Sequence, residues 1–205
     1  MAKHEIRIVG GIWKRSKLQV ADRQGLRPTP DRVRETLFNW LGQDLTGWRC
    51  IDVFAGTGAL GFEAASRGAR DVLLVEQDPV LVAQLKATQT RLQASGTRVL
   101  RGEGIAAMKQ LAPASMDAVF LDPPFDSNLV ESALSAGALA LKPTGYIYLE
   151  APAVWTNEKV VPFGLAVFRH LKAGAVHAHL LRLAGITPNP EDKVAALESV
   201  NLRTQ

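Results

Sequence analysis

A glycine-rich turn joins an apolar strand to a helix in the stretch Asp52-Val53-Phe54-Ala55-Gly56-Thr57-Gly58-Ala59-Leu60-Gly61. Glycine has no Cβ, so the backbone of such a turn can approach a bound nucleoside closely. The spacing Gly56-x-Gly58-x-x-Gly61 also matches the fingerprint of dinucleotide-binding folds, so the glycines alone leave the cofactor open. The stretch predicts a strand, turn and helix that bind a nucleoside cofactor, with Phe54, Gly56 and Gly58 in contact with it.

Apolar runs alternate with helical patterns on both sides of this turn. Strands are expected at Cys50–Phe54, Val72–Glu76, Arg98–Arg101, Ala118–Leu121 and Tyr146–Glu150. Helices are expected at Ala59–Arg67, Pro79–Ala94, Ile105–Leu111 and Leu129–Leu141. Such alternation favours a parallel sheet with helices on both faces and right-handed crossovers, which is a doubly wound α/β fold. Two later strands, Ala166–Leu171 and Val176–Leu183, are expected as an antiparallel pair at the sheet edge.

The N-terminal end is basic and predicts a β-hairpin. Residues Glu5–Val20 alternate apolar and charged side chains around Gly10-Gly11, as in two short strands joined by a turn. The first 34 residues carry nine Lys or Arg and three acids, so the net charge of +4 comes entirely from this end. A basic segment attracts phosphate backbones through counterion release. Beyond the hairpin, Thr29 is expected to cap a helix that begins at Pro30 and ends near Gly42.

Length and composition exclude several classes of protein. At 205 residues, 47% hydrophobic and 21% charged, the chain suits one soluble domain of ordinary composition. It has no apolar run of about 18 residues and no signal-peptide core, so we expect a cytoplasmic protein that does not contact membranes. The single cysteine, Cys50, is expected to be a buried structural residue. We interpret His4, His170, His177 and His179 as surface residues and expect no metal site, since His177 and His179 lack a third ligand.

Three carboxylates stand at the ends of the strands around the glycine turn. Asp52 precedes the glycines, where a carboxylate would repel a pyrophosphate but would suit the ammonium and sulfonium groups of S-adenosylmethionine. Glu76 closes the next strand, where it can bind the ribose hydroxyls of either cofactor. Glu103-Gly104 closes the third strand, where the acid can accept a hydrogen bond from the adenine amine. Asp52 therefore favours S-adenosylmethionine as the cofactor, while Glu76 supports nucleoside binding without deciding between the two cofactors.

The tetrapeptide Asp122-Pro123-Pro124-Phe125 follows the fourth predicted strand and should face the same crevice. An exocyclic base amine is a poor nucleophile, because its lone pair is delocalised into the ring. The Asp122 carboxylate, also beside the cofactor, and the Pro123 carbonyl can accept the two amine hydrogens and favour a pyramidal nitrogen. Proline fixes both acceptors in advance, and Phe125 can stack on the base. The motif predicts direct methyl transfer to a base amine.

The residues leave four functions open. The same tetrapeptide suits the N2 amine of guanine in RNA and the N6 amine of adenine in DNA or RNA. An RNA-binding assembly factor that needs no turnover belongs to a different class, and the intact tetrapeptide argues against it. A nicotinamide-dependent dehydrogenase is the alternative that the glycine spacing permits, and a binding test with each cofactor separates it.

Two further stretches complete a resemblance to a known family. They are Arg7-Ile8-Val9-Gly10-Gly11-Ile12-Trp13-Lys14-Arg15-Ser16-Lys17-Leu18 and Gly25-Leu26-Arg27-Pro28-Thr29-Pro30-Asp31-Arg32-Val33-Arg34-Glu35-Thr36-Leu37-Phe38-Asn39-Trp40-Leu41. With the glycine turn, the tetrapeptide and Tyr148-Leu149-Glu150, residues 6–183 resemble the bacterial 16S ribosomal RNA guanine-N2 methyltransferases, the RsmD family. The resemblance implies a class I S-adenosylmethionine-dependent methyltransferase (Rossmann-like) fold. This fold has a seven-stranded, mostly parallel sheet with helices on both faces, here with an N-terminal β-hairpin extension.

The resemblance also implies roles for residues near the N-terminus. Arg27, Thr29 and Arg32 would lie near the methionine end of the cofactor, where a buried arginine could pair with its carboxylate. The hairpin, residues 1–26, would face the RNA, with the methyltransferase domain at 27–184 and a tail at 185–205. Candidate RNA contacts are Arg7, Trp13, Lys14, Arg15, Lys17 and Arg27. The implied substrate is 16S rRNA in the assembled small subunit or a late precursor, and we expect the protein to act as a monomer. Glu103 departs from the family pattern, where we expect aspartate.

Overall fold

The computed structural model describes residues 5–21, 29–124 and 128–185 of the chain. Within these residues the N-terminal hairpin forms a two-stranded antiparallel sheet, from β1 (Glu5–Arg7) and β2 (Lys17–Gln19). Ile6 pairs with Leu18 at its centre, and Leu18 is fully buried. The predicted hairpin is therefore confirmed, although its strands are short and the connecting loop spans residues 8–16. Residues 186–205 of the expected tail lie outside the described residues.

A seven-stranded sheet follows the hairpin in the described part of the chain. Its strands are β3 (Arg49–Asp52), β4 (Asp71–Glu76), β5 (Thr97–Arg101), β6 (Met116–Leu121), β7 (Leu141–Ala151), β8 (Leu165–Ala173) and β9 (Val176–Leu183). The helices are α1 (Asp31–Trp40), α2 (Ala59–Ser66), α3 (Pro79–Leu92), α4 (Gly104–Lys109), α5 (Val130–Ala140) and α6 (Asn157–Val160), and a 3-10 turn spans Val161–Phe163. The longest described helix, α3, has 14 residues, and no helix in the described ranges is long and apolar enough to cross a membrane.

The order of the strands defines where a ligand can bind. The order across the sheet is β5-β4-β3-β6-β7-β9-β8. Strands β3 to β7 pair in parallel, while β9 runs antiparallel to both β7 and β8. The chain leaves β3 toward β4 and β5, then returns to the other side of β3 with β6. Because crevices open where the strand order reverses, the carboxyl ends of β3 and β6 mark the expected ligand site.

Alternating side chains divide the core into two layers, one on each face of the sheet. Phe120 and Tyr148 lie on the face covered by the hairpin, α1, α2 and α3, where Phe38 of α1 packs with its ring centroid 6.1 Å from that of Phe120. Val119 and Ile147 lie on the opposite face, which α4 and α5 cover. Strand residues point alternately to the two faces, so each strand contributes apolar side chains to both layers. The predicted doubly wound arrangement is confirmed.

The beginning of α1 differs from the prediction. Pro30 rather than Thr29 occupies the N-cap position, and no side chain caps the helix. The Thr29 hydroxyl instead donates to Glu150, which is 121 residues away in sequence. A local cap was the expected partner, but a buried carboxylate on β7 is the stronger acceptor for a hydroxyl that burial removes from water. The Thr29 cap prediction was therefore wrong, and the residue links α1 to the sheet.

Candidate active site at the carboxyl ends of the strands

The glycine turn connects β3 to α2 through two residues with positive φ. Gly56 has φ of 52° and Gly58 has φ of 77°, in the left-handed region that favours glycine. The Gly58 N–H donates to the Ala55 carbonyl at 2.6 Å and closes the turn. A Cβ at Gly58 would stand 2.6 Å from side-chain atoms of Leu85 and Phe62, so no larger residue fits. The turn is a tight backbone cradle at the switch point of the sheet.

Asp52 is the last residue of β3 and is buried beneath this turn. Its Oδ2 accepts a hydrogen bond of 2.9 Å from the Gly61 N–H of α2. Burial raises the pKa of Asp52 to about 7, and the negative charges of Glu76 and Glu150 add to the shift. In the described part of the chain Asp52 makes no ion pair. A cationic ligand at this point would supply the missing opposite charge.

Glu76 ends β4 and is bound to the glycine turn. Its Oε2 accepts from the Gly56 N–H at 2.9 Å, and its Oε1 accepts from the Gln77 and Asp78 N–H groups at 2.8 and 2.9 Å. The Glu76 residue is half-buried. Three backbone donors fix the carboxylate at the strand end, beside the cradle.

Glu103 and Gly104 follow β5 and begin α4. The Glu103 carboxylate caps this helix, accepting from the N–H groups of Ile105 at 2.9 Å and Ala106 at 2.6 Å. Gly104 is buried against β3, and a Cβ there would lie 2.2 Å from the Val53 carbonyl oxygen. Glycine is therefore required for α4 to approach the end of β3, and the Glu103 side chain has a structural task of its own.

The tetrapeptide begins where β6 ends, in the expected crevice. Asp122 is half-buried, Pro123 is buried and Pro124 is exposed, while Phe125 lies outside the described residues. Burial raises the pKa of Asp122 well above its ordinary value, and the negative charges of Glu150 and Asp52 raise it further. The pairing of Phe120 with Asp52 on β3 brings the ends of these two strands together.

Glu150 is a buried acid at this site whose role the sequence did not indicate. It follows the Leu149 of β7 that pairs with Leu121 of β6, so it stands beside Asp122. Its Oε1 accepts from the Thr29 hydroxyl at 2.5 Å and from the Tyr148 hydroxyl at 2.8 Å. Burial raises the pKa of Glu150, while Thr29, Tyr148 and Arg34 lower it. Glu150 belongs to the family stretch Tyr148-Leu149-Glu150, but the sequence alone predicted no role for this residue in binding or catalysis.

Arg34 is the buried arginine of α1, whereas Arg32 is exposed. The Arg34 guanidinium contacts Glu63 of α2, with Nη1 to Oε2 at 3.2 Å, and forms a short ion pair with Asp31. Its Nε donates to the Thr29 carbonyl at 3.1 Å. Helical spacing explains the difference, since Arg34 shares the inward face of α1 with buried Val33, Leu37 and Phe38.

The loop between β1 and β2 is fastened to the far end of α2. The Val9 N–H donates to Glu63 Oε2 at 2.8 Å, and the Trp13 N–H donates to the Ser66 hydroxyl oxygen at 2.9 Å. The same Ser66 hydroxyl donates to the Gly10 carbonyl at 2.6 Å. Trp13, a candidate RNA contact, is half-buried and packs against the core. The hairpin is therefore fixed against the domain through partly buried hydrogen bonds.

The other candidate RNA contacts differ in their surroundings. Arg7, Lys14 and Arg15 are exposed, and Arg15 has a positive φ of 71°. Lys17 forms an exposed ion pair of 2.8 Å with Glu5. Arg27 lies outside the described residues. Three of these cations are therefore exposed, one on β1 and two in the loop that follows it.

The histidines of β8 and β9 correct one interpretation. His179 is fully buried rather than a surface residue, and its Nε2 accepts from the Trp155 N–H at 3.0 Å while Nδ1 lies 3.3 Å from the Leu149 carbonyl oxygen. The rings of His170 and His177 stack on each other, 5.2 Å apart between centroids. Backbone groups engage both nitrogens of His179. Among the described residues, no set of three His, Cys, Asp or Glu side chains could hold a metal ion.

Known proteins resemble this chain over most of its length. The family model described as "Conserved hypothetical protein 95" matches residues 6–182. Ribosomal RNA small subunit methyltransferase D of Haemophilus influenzae is 41% identical over 181 residues, which cover 82% of this chain and 94% of that protein. The Escherichia coli K12 protein of the same name is 39% identical over 178 residues, which cover 84% and 87%.

Solved structures are similar in fold as well as sequence. The protein yhhF of Escherichia coli superposes with a TM-score of 0.76 at 37% identity, over 88% of this chain and 98% of that chain. HI0767 of Haemophilus influenzae superposes with a TM-score of 0.71 at 35% identity, over 88% and 99%. These similarities confirm the predicted class I methyltransferase fold.

Proposed function

This chain belongs to the ribosomal RNA small subunit methyltransferase D (RsmD) family, and on that premise we propose that it methylates the exocyclic N2 amine of a guanine in 16S rRNA. The methyl donor in this proposal is S-adenosylmethionine. The observation that carries the proposal is the position of Asp122, which stands at the end of β6 in the same crevice as Asp52 and the glycine cradle. The substrate would be the assembled small subunit or a late precursor, in the cytoplasm, with the protein acting as a monomer.

The crevice fits a cationic nucleoside cofactor. Gly56 and Gly58 both have positive φ, and a Cβ at Gly58 would overlap Leu85 and Phe62, so the turn keeps a bare, closely approachable backbone. Asp52 is a buried carboxylate without an ion-pair partner among the described residues. S-adenosylmethionine would supply a methyl carbon activated by a positively charged sulfur. In this proposal Asp52 faces the positive charge and Glu76 accepts from the ribose hydroxyls. A dinucleotide pyrophosphate would instead meet the negative charge of Asp52, which disfavours the dehydrogenase alternative.

The other predicted cofactor contacts need more specific roles. Gly104 lets α4 close against β3, so it shapes the wall of the cradle. Glu103 already accepts two backbone N–H groups, which leaves its second lone pairs for an adenine amine. Thr29 contacts the site through Glu150. Arg32 is exposed and in this proposal reaches a cofactor carboxylate, whereas buried Arg34 is engaged by Glu63, Asp31 and Thr29.

Catalysis in this proposal depends on two fixed acceptors. The Asp122 carboxylate and the Pro123 carbonyl accept the hydrogens of the amine, and the nitrogen lone pair then points toward the methyl carbon. The strand end and the proline hold both acceptors in place before the base arrives, so little reorganisation is needed in the transition state. Phe125 would stack on the base. No covalent intermediate with the protein is required.

These two acceptors do not distinguish guanine from adenine, since the adenine N6 amine would fit them equally well. Selection of the base must therefore depend on other contacts. Family membership and the basic residues of the hairpin favour rRNA. Arg7, Lys14 and Arg15 are exposed there, and such cations contact phosphates without reading sequence. A guanine within folded RNA would be accessible or would swing out of its stack at a cost of a few kcal/mol.

Mass-spectrometric mapping of rRNA modifications tests the proposal. Ribosomal RNA from cells with and without this protein is digested and compared. We expect the loss of one N2-methylguanine from 16S rRNA and its return when the gene is restored. Unchanged N2-methylguanine, or the loss of N6-methyladenine instead, would overturn the proposal.

A further inference from the structure

We propose that Glu150 is a positioning residue of the methyl-transfer site, which acts through Asp122 to tie the protonation of that acid to the charge of the bound cofactor. This inference rests on the proposed function. Glu150 is not the acceptor of the amine itself. Glu150 stays ionised beside Asp122. Because of this neighbouring negative charge, Asp122 remains protonated in the empty site and loses its proton when a cation binds.

The strand register places the two acids side by side. Leu121 of β6 pairs with Leu149 of β7, so Asp122 and Glu150 follow at the next position on neighbouring strands. Adjacent strands lie about 4.8 Å apart and paired residues point to the same face. This face is that of Phe120 and Tyr148, under α1 and the hairpin. Two carboxylates at such separation in a buried site do not both ionise readily.

Hydrogen bonds decide which of the two acids keeps the negative charge. Thr29 and Tyr148 both donate hydroxyl groups to one oxygen of Glu150, and the positive charge of Arg34 also favours the ionised form. The pKa of Asp122 is raised by burial, by Glu150 and by Asp52, and none of the principal influences on it acts in the opposite direction. Glu150 is therefore the held charge, and Asp122 is the acid that takes the proton.

The remaining charges around the pair are predominantly negative. Asp52 of β3 and Glu76 of β4 lie near enough to raise the pKa of buried acids here, and Arg34 is the cation that acts on Glu150. A ligand with a positive charge would lower the pKa of Asp122 and release its proton, which turns Asp122 into an acceptor for the amine. A neutral ligand of the same shape would leave the pKa of Asp122 raised, and Asp122 would keep its proton.

The same coupling accounts for the proton that the amine must lose. In the transfer, the new N–C bond forms as the S–C bond breaks, and the bonding electrons stay on sulfur. The positive charge thus leaves the cofactor and resides on the methylated amine. The pKa of Asp122 rises again as the cofactor becomes neutral, and Asp122 takes the surplus amine proton. One methyl group and one proton are transferred, and the charges balance.

Calorimetry measures this coupling without turnover. Binding of S-adenosylmethionine and of the neutral product S-adenosylhomocysteine is titrated at pH 7 in buffers with different ionisation enthalpies, which gives the protons released. We expect the wild type to release more protons with the cationic cofactor than with the product. In Glu150→Gln we expect a smaller difference, and a preference for the cationic cofactor over the product reduced by about tenfold, as for one pKa unit of coupling. The exposed Glu158→Gln serves as control and should match the wild type.

A second pair of variants keeps the test valid if Glu150→Gln does not fold. Thr29→Val removes the hydroxyl that donates to Glu150, and Thr29→Ser keeps it. Loss of the donor raises the pKa of Glu150, so the pH of maximal proton release should move upward in Thr29→Val and stay in place in Thr29→Ser. Wild-type proton release in both Glu150→Gln and Thr29→Val, or in Thr29→Val alone when the first variant is unfolded, overturns the role of Glu150.

The result also separates this inference from the proposed function. If the wild type binds S-adenosylmethionine and methylates guanine N2 but the variants behave like it, only the role of Glu150 fails. If the wild type binds no S-adenosylmethionine, the proposed function fails first and the inference with it.

Discussion

At the scale of single residues, burial of the ionised Asp52 carboxylate lowers the stability of the fold. Its carboxyl is buried and its pKa is raised to about 7 from 3.8. The unfolded chain ionises near pH 4, whereas the folded chain keeps the proton until about pH 7. Stability from this group is therefore fully present at low pH and is lost as the pH rises to 7. A carboxylate kept at such a cost is typical of functional sites.

Asp52→Asn should remove this dependence. The free energy of unfolding of the wild type, relative to that of the variant, should fall by about 1.4 kcal/mol for each pH unit between pH 4 and 7. Urea titrations of both proteins at several pH values measure the difference. Parallel curves for the two proteins would contradict the assigned protonation.

His179 has the opposite pH dependence. Burial lowers its pKa to about 4, and its Nε2 accepts from the Trp155 N–H only while the ring is neutral. Its contribution to stability is present above pH 6.5 and is lost as the pH falls toward 4. His179→Gln should lower stability at pH 8 but make it less sensitive to acid. Equal acid sensitivity in the His179 variant and the wild type would exclude this account.

At the scale of elements, α2 connects the basic loop to the cradle. Glu63 of α2 is fully buried between Arg34, Arg67 and the Val9 N–H. Removal of one partner from such a network leaves the others charged and unsatisfied, which costs far more than loss of a surface pair. The fixed loop therefore depends on a buried acid of α2.

Glu63→Gln should lower the free energy of unfolding by about 3–5 kcal/mol. Glu5→Gln breaks the exposed pair with Lys17 and should cost less than about 1 kcal/mol. Urea denaturation at pH 7 measures both. Comparable losses in the two variants would show that the buried network does not fix the loop.

The close approach of α4 to the end of β3 at Gly104 should also be needed for cofactor binding. In Gly104→Ala the new Cβ would overlap the Val53 carbonyl, so α4 must shift and the affinity for S-adenosylmethionine should fall, with a stability loss of about 1–3 kcal/mol. Gly102→Ala, where no atom lies within 4 Å of the added Cβ, should bind like the wild type. Titration calorimetry compares the two, and equal affinities would argue against a tight wall at this point.

At the scale of the whole molecule, the sequence predicted what depends on neighbours along the chain. The apolar strands, the glycine turn and the place of Asp122 follow from local pattern and from the rule that ligands bind at strand ends. The roles of Arg34 and Glu150 do not, because each contacts partners from distant segments. Thr29 is the clearest example. Its neighbours in sequence predicted a helix cap, but its hydroxyl donates to Glu150, which is 121 residues away in sequence.

The central claim is that Asp122 accepts hydrogens of a base amine at this crevice, and one variant tests it directly. Asp122→Ala removes both carboxylate oxygens, whereas the amide oxygen of an asparagine would still accept a hydrogen from the amine. Methyl transfer to purified small ribosomal subunits that lack the modification is measured beside binding of S-adenosylmethionine. The account predicts that the variant still binds the cofactor and that its methyl transfer falls by at least about a hundredfold. Transfer at the wild-type rate by a variant that binds the cofactor would contradict it.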